Sequence, residues 1–308
     1  MQLLDIKMNG FDLIQIIIFL KLKLYSRAGI LITTRCSAGC RFCIYGNLEK
    51  KDAEKIVLEK GLELFEKLKI KHIGISGGEP FEAYDNLLFT TKKILSLSPP
   101  KVVSIITSAN WAKSSEIVRE KLDPLYDIGL INLGISIDAF HLEKIDPTNY
   151  FFIMEYLNNR GINPIVAVRY SKEIENYEDL FQKIKTKYSA EIYTKDLYIE
   201  GKATLLKDKD IAGTVKDLKR FQKRFDSFNP VKFYGSFNWL IPRCLQMTIF
   251  PNGDLHFCCC KKELTKICNV LSDDFFVSLE KFNKNWKNIL YRGLFKPTTC
   301  NCFKSNLC

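Results

Sequence analysis

Several features that would direct this 308-residue chain elsewhere are missing from it. It has only three histidines, the first at His72, so a metal loop near the N-terminus has no imidazole to draw on. No basic n-region or small-residue cleavage site accompanies the apolar stretch 11–25, which excludes a secretory signal. That stretch is broken by Asp12, Gln15, Lys21 and Lys23, too short and too charged for a membrane span, and reads as a strand or helix packed beneath the core. No internal repeat or low-complexity tract points to a solenoid or a linker array. The net charge of +11 comes without a basic run interleaved with aromatics and without a nucleic-acid-binding motif. That leaves a coding bias toward Lys, Ile and Asn, or long-range attraction for an acidic partner.

Cysteine is what the chain does have. Eleven thiols with no secretory signal argue for metal sites in a reducing, cytoplasmic compartment rather than for disulfides. Three of them, Cys36, Cys40 and Cys43, are spaced x3 and x2, one ligand short of a closed site. The next cysteine is Cys244. Such a loop can hold a [4Fe–4S] cluster with one iron left open; a zinc ion completed from afar and plain reduced thiols are the alternatives.

The apolar run Ile30–Thr34 reads as a buried strand immediately before this loop, and a second, Ile73–Ser76, precedes Gly77-Gly78-Glu79-Pro80. The pairing of Cx3CxΦC after one strand, with Phe42 as the aromatic, and GGEP after the next resembles the radical S-adenosylmethionine (SAM) superfamily. The resemblance implies a cluster bound by Cys36, Cys40 and Cys43 and SAM chelated to its open iron. SAM would be contacted by Phe42, Gly77, Gly78 and Glu79, with the Glu79 carboxylate on the SAM ammonium. One-electron reduction from a donor such as flavodoxin or ferredoxin then yields a 5′-deoxyadenosyl radical.

Between residues 29 and 228 strand-like and helix-like segments alternate, the pattern of parallel βα units. The reading is an α/β fold, a partial (β/α)6 TIM-like barrel, with a small cysteine-rich C-terminal iron–sulfur domain over 229–308 and an N-terminal extension over 1–28. Strands are expected at Val102–Thr107, Ile131–Ile137, Pro164–Val168 and within Glu191–Ile199. Helices are expected over 51–69, after Ser114, near 150–160 and over 176–187 and 213–226. Sites in such barrels form at the C-terminal strand ends. There the resemblance implies Ser108 and Ser136 as hydroxyls and Arg169 as a carboxylate partner for SAM, with Asp138 on ribose or substrate. Helix capping by Ser and Asp, and a salt bridge for Arg169, are the plain alternatives. His141 reads as structural. The role of Gly201-Lys202-Ala203 stays open.

Eight of the cysteines fall between Cys244 and Cys308. Cys244, Gly253 and Cys258 flank a hairpin turn at Pro251-Asn252-Gly253-Asp254. With Cys300, Cys302 and Cys308 they resemble, in part, the SPASM/twitch extension of radical SAM enzymes. This implies one auxiliary [4Fe–4S] cluster on Cys244, Cys258 and two of the last three, with zinc as the alternative. Cys259 points to the opposite strand face from Cys258. It is either a hydrogen-atom donor, as the similar paired cysteine of radical SAM peptide epimerases implies, or a small buried hydrophobe. The expected activity is modification of a ribosomal peptide, by L-to-D epimerisation through Cys259 or by a thioether or carbon–carbon crosslink. A sulfatase-type maturase and a non-catalytic iron–sulfur binding protein are further alternatives.

Overall fold

The computed structural model describes residues 27–99, 101–130, 132–195, 202, 220, 221, 223, 224, 247–256 and 266–278. Cys244, Cys258, Cys259, Cys260, Cys300, Cys302 and Cys308 lie outside the described residues, as do 1–26 and most of the expected helix 213–226.

Six parallel strands follow one another in the sheet in chain order: β1 (Arg27–Thr33), β2 (His72–Gly77), β3 (Val102–Thr107), β4 (Asn132–Ser136), β5 (Ile165–Arg169) and β6 (Glu191–Lys195). The connecting helices are α1 (Lys55–Lys67), α2 (Tyr84–Leu95), α3 (Ser115–Asp127), α4 (Ala139–Leu142), α5 (Pro147–Asn159) and α6 (Glu178–Tyr188). Each expected strand and helix within the described residues is present, with ends displaced by a few residues. Ser114 caps α3 through Ile117 N, as its position before the helix predicted. Ala53, assigned to the first helix from the sequence, precedes it.

Alternation along the strands separates two faces. Ile30, Ile32, Ile73, Ile75, Val103, Ile105, Leu133, Ile135, Val166, Val168 and Ile192 are buried, on the face that packs against the helices. The other face has a different chemistry. Register puts Gly29, Gly74, Ser104 and Asn132 in one row, and Ser136, Ala167 and Tyr193 in a row nearer the C-terminal ends. All of these but Tyr193, a large buried side chain, are small or polar.

The sheet continues beyond β1. Strand β7 (Met247–Ile249) pairs parallel with β1, and β8 (Asp254–His256) and β9 (Lys266–Asn269) extend it antiparallel, giving nine strands ordered 6-5-4-3-2-1-7-8-9. The hairpin read at 251–254 is therefore present, with Gly253 at φ +86° in its turn. It is an extension of the barrel sheet. Gly61 of α1 lets the Ile249 side chain pack close to the helix, since a Cβ there would lie 2.5 Å from Ile249 Cδ1.

His72 begins β2 with Nε2 2.9 Å from Ser104 Oγ. Burial, reinforced by the Arg27 charge, lowers its pKa to about 4. A folded pKa below the unfolded value of about 6.5 means the neutral ring is favoured, so this contribution is full above pH 6.5 and is lost as pH falls toward 4. Unfolding free energies from urea titrations between pH 7 and 4.5 are expected to drop, by up to about 3 kcal/mol from this residue. In H72Q the drop should be correspondingly smaller; an unchanged slope would count against the assignment.

Candidate active site at the C-terminal ends of the strands

The cysteine loop leaves β1, and every described position implied by the resemblance falls at the same end of the sheet. Cys40 is buried, and Cys36 and Cys43 are half-buried. Burial raises the Cys36 thiol to about 12 and raises Cys43 as well, and the charge of Cys40 adds to both. Thiols held protonated in this way must release protons to bind a metal.

The loop is tied down on three sides. Toward β2 and β3, Ser37 N and Oγ donate to Glu82 Oε1 (2.7 and 2.6 Å), and Asn110 Nδ2 donates to Ser37 Oγ (2.6 Å). Arg35 forms a bidentate pair with Asp52 and donates to the Glu82 carbonyl. Toward β4 and β5, Arg41 Nη2 reaches both Glu143 Oε1 and Glu173 Oε2 at 2.7 Å, and its guanidinium lies over Phe140. Beside it Phe42 stacks on Phe140 (4.8 Å) and meets the His141 ring edge-on (5.2 Å). On the third side, after β6, Lys202 N donates to Cys43 O, and the Lys202 stem covers Gly46. Lys202, whose role was open in the sequence, thus fastens the loop across the open side of the barrel.

The GGEP segment also packs against the chain itself. A Cβ on Gly77 would lie 2.3 Å from Thr33 O, and one on Gly78 would lie 1.9 Å from Arg35 O. The missing side chains admit the chain's own cysteine loop, with Gly78 N donating to Thr33 O and Glu79 N to Arg35 O. Glu79 is fully buried, and its carboxylate already accepts four hydrogen bonds, from Phe81 N, Thr107 Oγ1, Ser108 N and Ser108 Oγ. Burial raises its pKa against these four donors. It joins the ends of β2 and β3. Ser108, expected to line SAM, donates its hydroxyl hydrogen to Glu79.

Ser136 is half-buried at the end of β4, and Arg169 ends β5 in register with Lys195. Asp138 is fully buried and caps α4 through His141 N (3.1 Å), so the capping alternative describes its visible bonds. Its Oδ1 also lies 2.9 Å from His141 Nδ1. Burial pulls the His141 pKa down, but Asp138 and the neighbouring Cys40 thiol push it up further, to about 10.

Sequence reasoning missed Arg41, Glu82, Glu143, Asn149, Tyr150 and Glu173. Asn149, buried on α5, donates to Ala109 O and steadies a β3 loop in which Ala109 adopts φ +66°. Tyr150, beside it, is buried with its hydroxyl unpartnered. Only for Arg41, inside the Cx3CxΦC motif, did the sequence carry a signal.

Among the described residues no three His, Cys, Asp or Glu side chains are gathered as a cage for one metal ion. The cysteines of a cubane cluster each bind a different iron, so the three-thiol loop suits that larger group. Buried polar atoms at this end of the sheet (Asp138 Oδ2, His141 Nδ1 and the Tyr150 hydroxyl) lack in-line partners, which also fits a polar group bound there.

The fold is shared with solved structures. SuiB of Streptococcus suis bound to its precursor peptide SuiA superimposes with a TM-score of 0.61 at 17% identity, over 90% of this chain and 71% of that one. The same protein bound to SAM gives 0.58 at 16% over 89% and 72%. The enzyme anSMEcpe, bound to AdoMet and a peptide, gives 0.60 at 14% over 85% and 81%. In sequence, 135 residues are 27% identical to YydG of Bacillus subtilis (strain 168), named as a candidate peptide biosynthesis protein; they span 41% of this chain and 40% of that protein. No helix of the described residues is long and apolar enough to cross a membrane. The family profile of the radical SAM superfamily matches residues 30–186, just over half the chain, with the cysteine loop and GGEP inside the match, and the chain belongs to that superfamily.

Proposed function

We propose that this chain modifies a ribosomally made peptide, removing a hydrogen atom from a residue's Cα, and that the product is the L-to-D epimer. A [4Fe–4S] cluster on Cys36, Cys40 and Cys43 with SAM beside it would supply the 5′-deoxyadenosyl radical that takes the hydrogen. The observation that carries the reading is convergence: the cysteine loop, the GGEP turn and the ends of β3, β4 and β5 meet at one end of the sheet. In this reading Phe42, Ser136 and Arg169 would contact SAM there. Support for a peptide substrate comes from relatives: YydG is named for peptide biosynthesis, and two of the matched folds were solved with peptides bound.

Residues 229–308 would add one auxiliary cluster on Cys244, Cys258 and two of Cys300, Cys302 and Cys308. Cys259 would give its thiol hydrogen atom to the opposite side of the Cα radical. The thiyl left behind returns to thiol with one electron and one proton, the electron coming from a flavodoxin- or ferredoxin-type donor. The cysteine-rich tail also favours a second reading, in which the auxiliary cluster takes an electron from the substrate radical and a thioether or carbon–carbon crosslink forms.

The test is anaerobic turnover of the reconstituted protein with candidate peptides in deuterated water. SAM cleavage with a gain of one mass unit in the peptide supports epimerisation, and C259A should cleave SAM while forming no D-residue. Loss of two hydrogens with no deuterium gained moves the assignment to crosslinking. Failure of the wild-type protein to bind iron and cleave SAM defeats both.

A further inference from the structure

We propose that Arg41 is a positioning residue for the metal group of the cysteine loop. Shared between Glu143 and Glu173, its guanidinium holds the Cys40–Cys43 segment in the shape that keeps the group bound. This rests on the reading that Cys36, Cys40 and Cys43 hold a [4Fe–4S] cluster.

The backbone between Cys36 and Cys43 closes on itself at Cys43 N to Cys40 O (3.3 Å), and Gly39 turns through φ +62°. The rest of its shape is fixed from outside. Glu82 and Asn110 hold Ser37, next to Cys36, and Lys202 N holds the Cys43 carbonyl. Between Cys40 and Cys43 the side chains of Arg41 and Phe42 supply the hold. Arg41 Nε and Nη2 lie 3.0 and 2.7 Å from Glu143 Oε1, and Nη2 is also 2.7 Å from Glu173 Oε2. Glu143 follows α4, and Glu173 lies in the turn Lys172–Tyr177 after β5, so one side chain ties the loop to two strand ends. Phe140 and Glu143 are three residues apart and share a face, which lets Arg41 lie over the Phe140 ring (4.8 Å) while it reaches the carboxylate. Phe42 stacks on that same ring (4.8 Å).

Two carboxylates exceed one guanidinium in charge, so the trio offers the thiolates no net positive field, and its effect on them is geometric. The three side chains are 33–40% exposed, where ion pairs add little to the stability of a fold. Their effect lies in ordering the loop before the metal group arrives, because ligands already in place lose less conformational entropy on binding. Lysine cannot take over this role, since a single ammonium lacks the planar fork that spans two carboxylates.

The experiment follows iron release from the anaerobically reconstituted full chain to a ferrous chelator, with a C36A/C40A/C43A protein used to subtract iron held elsewhere. Melting curves of the metal-free proteins are recorded in parallel. The variants are R41K, E143Q/E173Q and the two combined; K60Q, which breaks the exposed Lys60–Glu63 pair, is the control. Release from the loop should be about tenfold faster in R41K and in E143Q/E173Q, the lower end of what partners that orient metal ligands cost. Combining them should add nothing further, because the three groups act as one unit. K60Q should release iron as the wild type does. Metal-free melting temperatures should stay within about 4 °C of wild type. A variant that retains no loop iron at all, yet melts with the wild type, supports the inference at its limit. Wild-type release in R41K, or in E143Q/E173Q, would overturn it while leaving the cluster reading intact. Faster release accompanied by a larger fall in melting temperature would overturn it too, since that marks a clamp on the fold. Equal iron in the wild-type and triple-cysteine proteins would overturn the cluster reading itself, and the inference with it.

Discussion

Glu79→Gln is expected to lower the melting temperature of the cofactor-free protein by about 5–10 °C. The Glu79 carboxylate is fully buried and accepts from two backbone amides and two hydroxyls. A glutamine presents one acceptor and one donor in the same space. Whichever way its amide turns, the NH₂ group faces a backbone N–H, that of Phe81 or that of Ser108. One N–H is then left buried and unmatched, and the hydroxyl on that side must reorient. A loss of about 2–4 kcal/mol follows, at roughly 2–4 °C per kcal/mol or less for a chain of this size. Differential scanning calorimetry without iron or SAM isolates the effect from cofactor binding. If Glu79 served solely as a SAM ligand, the cofactor-free variant would melt with the wild type and only SAM binding would change.

Gly78→Ala should be more severe. The added Cβ would lie 1.9 Å from Arg35 O, 2.5 Å from Arg35 C and 2.9 Å from Thr34 C, all backbone atoms with no rotamer to yield. Relief requires the turn after β2 to withdraw from the cysteine loop, breaking the bonds from Gly78 N to Thr33 O and from Glu79 N to Arg35 O. A cost above about 4 kcal/mol places this among the exceptional substitutions, and soluble yield should collapse. Gly74→Ala is the control, because its Cβ would meet Ser104 Oγ at an ordinary 3.5 Å. It should stay within about 1 kcal/mol of wild type by urea unfolding. A G78A protein as stable as G74A would show that the close approach is not needed.

Both substitutions touch a motif that was legible in the sequence, yet neither effect was. GGEP could be recognised by its residues and spacing, and the natural inference was that two glycines and a carboxylate serve a ligand. In the structure the glycines make way for Thr33 and Arg35, and the carboxylate joins β2 to β3. Contacts between segments some 30 to 45 residues apart leave no local signature. The strands were readable because a buried parallel strand is a short β-branched run bounded by turn residues, as at Val102–Thr107. Ser114 was readable because an N-cap is a local event. Arg41 shows the limit. It stands inside the recognised motif, but its partners Glu143 and Glu173 are 102 and 132 residues away.

The sequence by itself determined the chemical class of this protein. Three soft ligands at x3 and x2 after one strand and GGEP after the next are local patterns, and ligand identity and spacing are properties a chain carries unfolded. Its alternation of apolar runs also announced a parallel α/β sheet. The tertiary structure alone decided how the cysteine loop is held: by Ser37 on Glu82, by Arg41 on two glutamates, by Lys202 on Cys43, and by a buried Glu79 beneath. It also set His141 against Asp138 and Phe42 and joined the hairpin at 247–256 to the edge of β1. These depend on which strand ends become neighbours, and that is settled only when the sheet assembles and brings distant loops to one end.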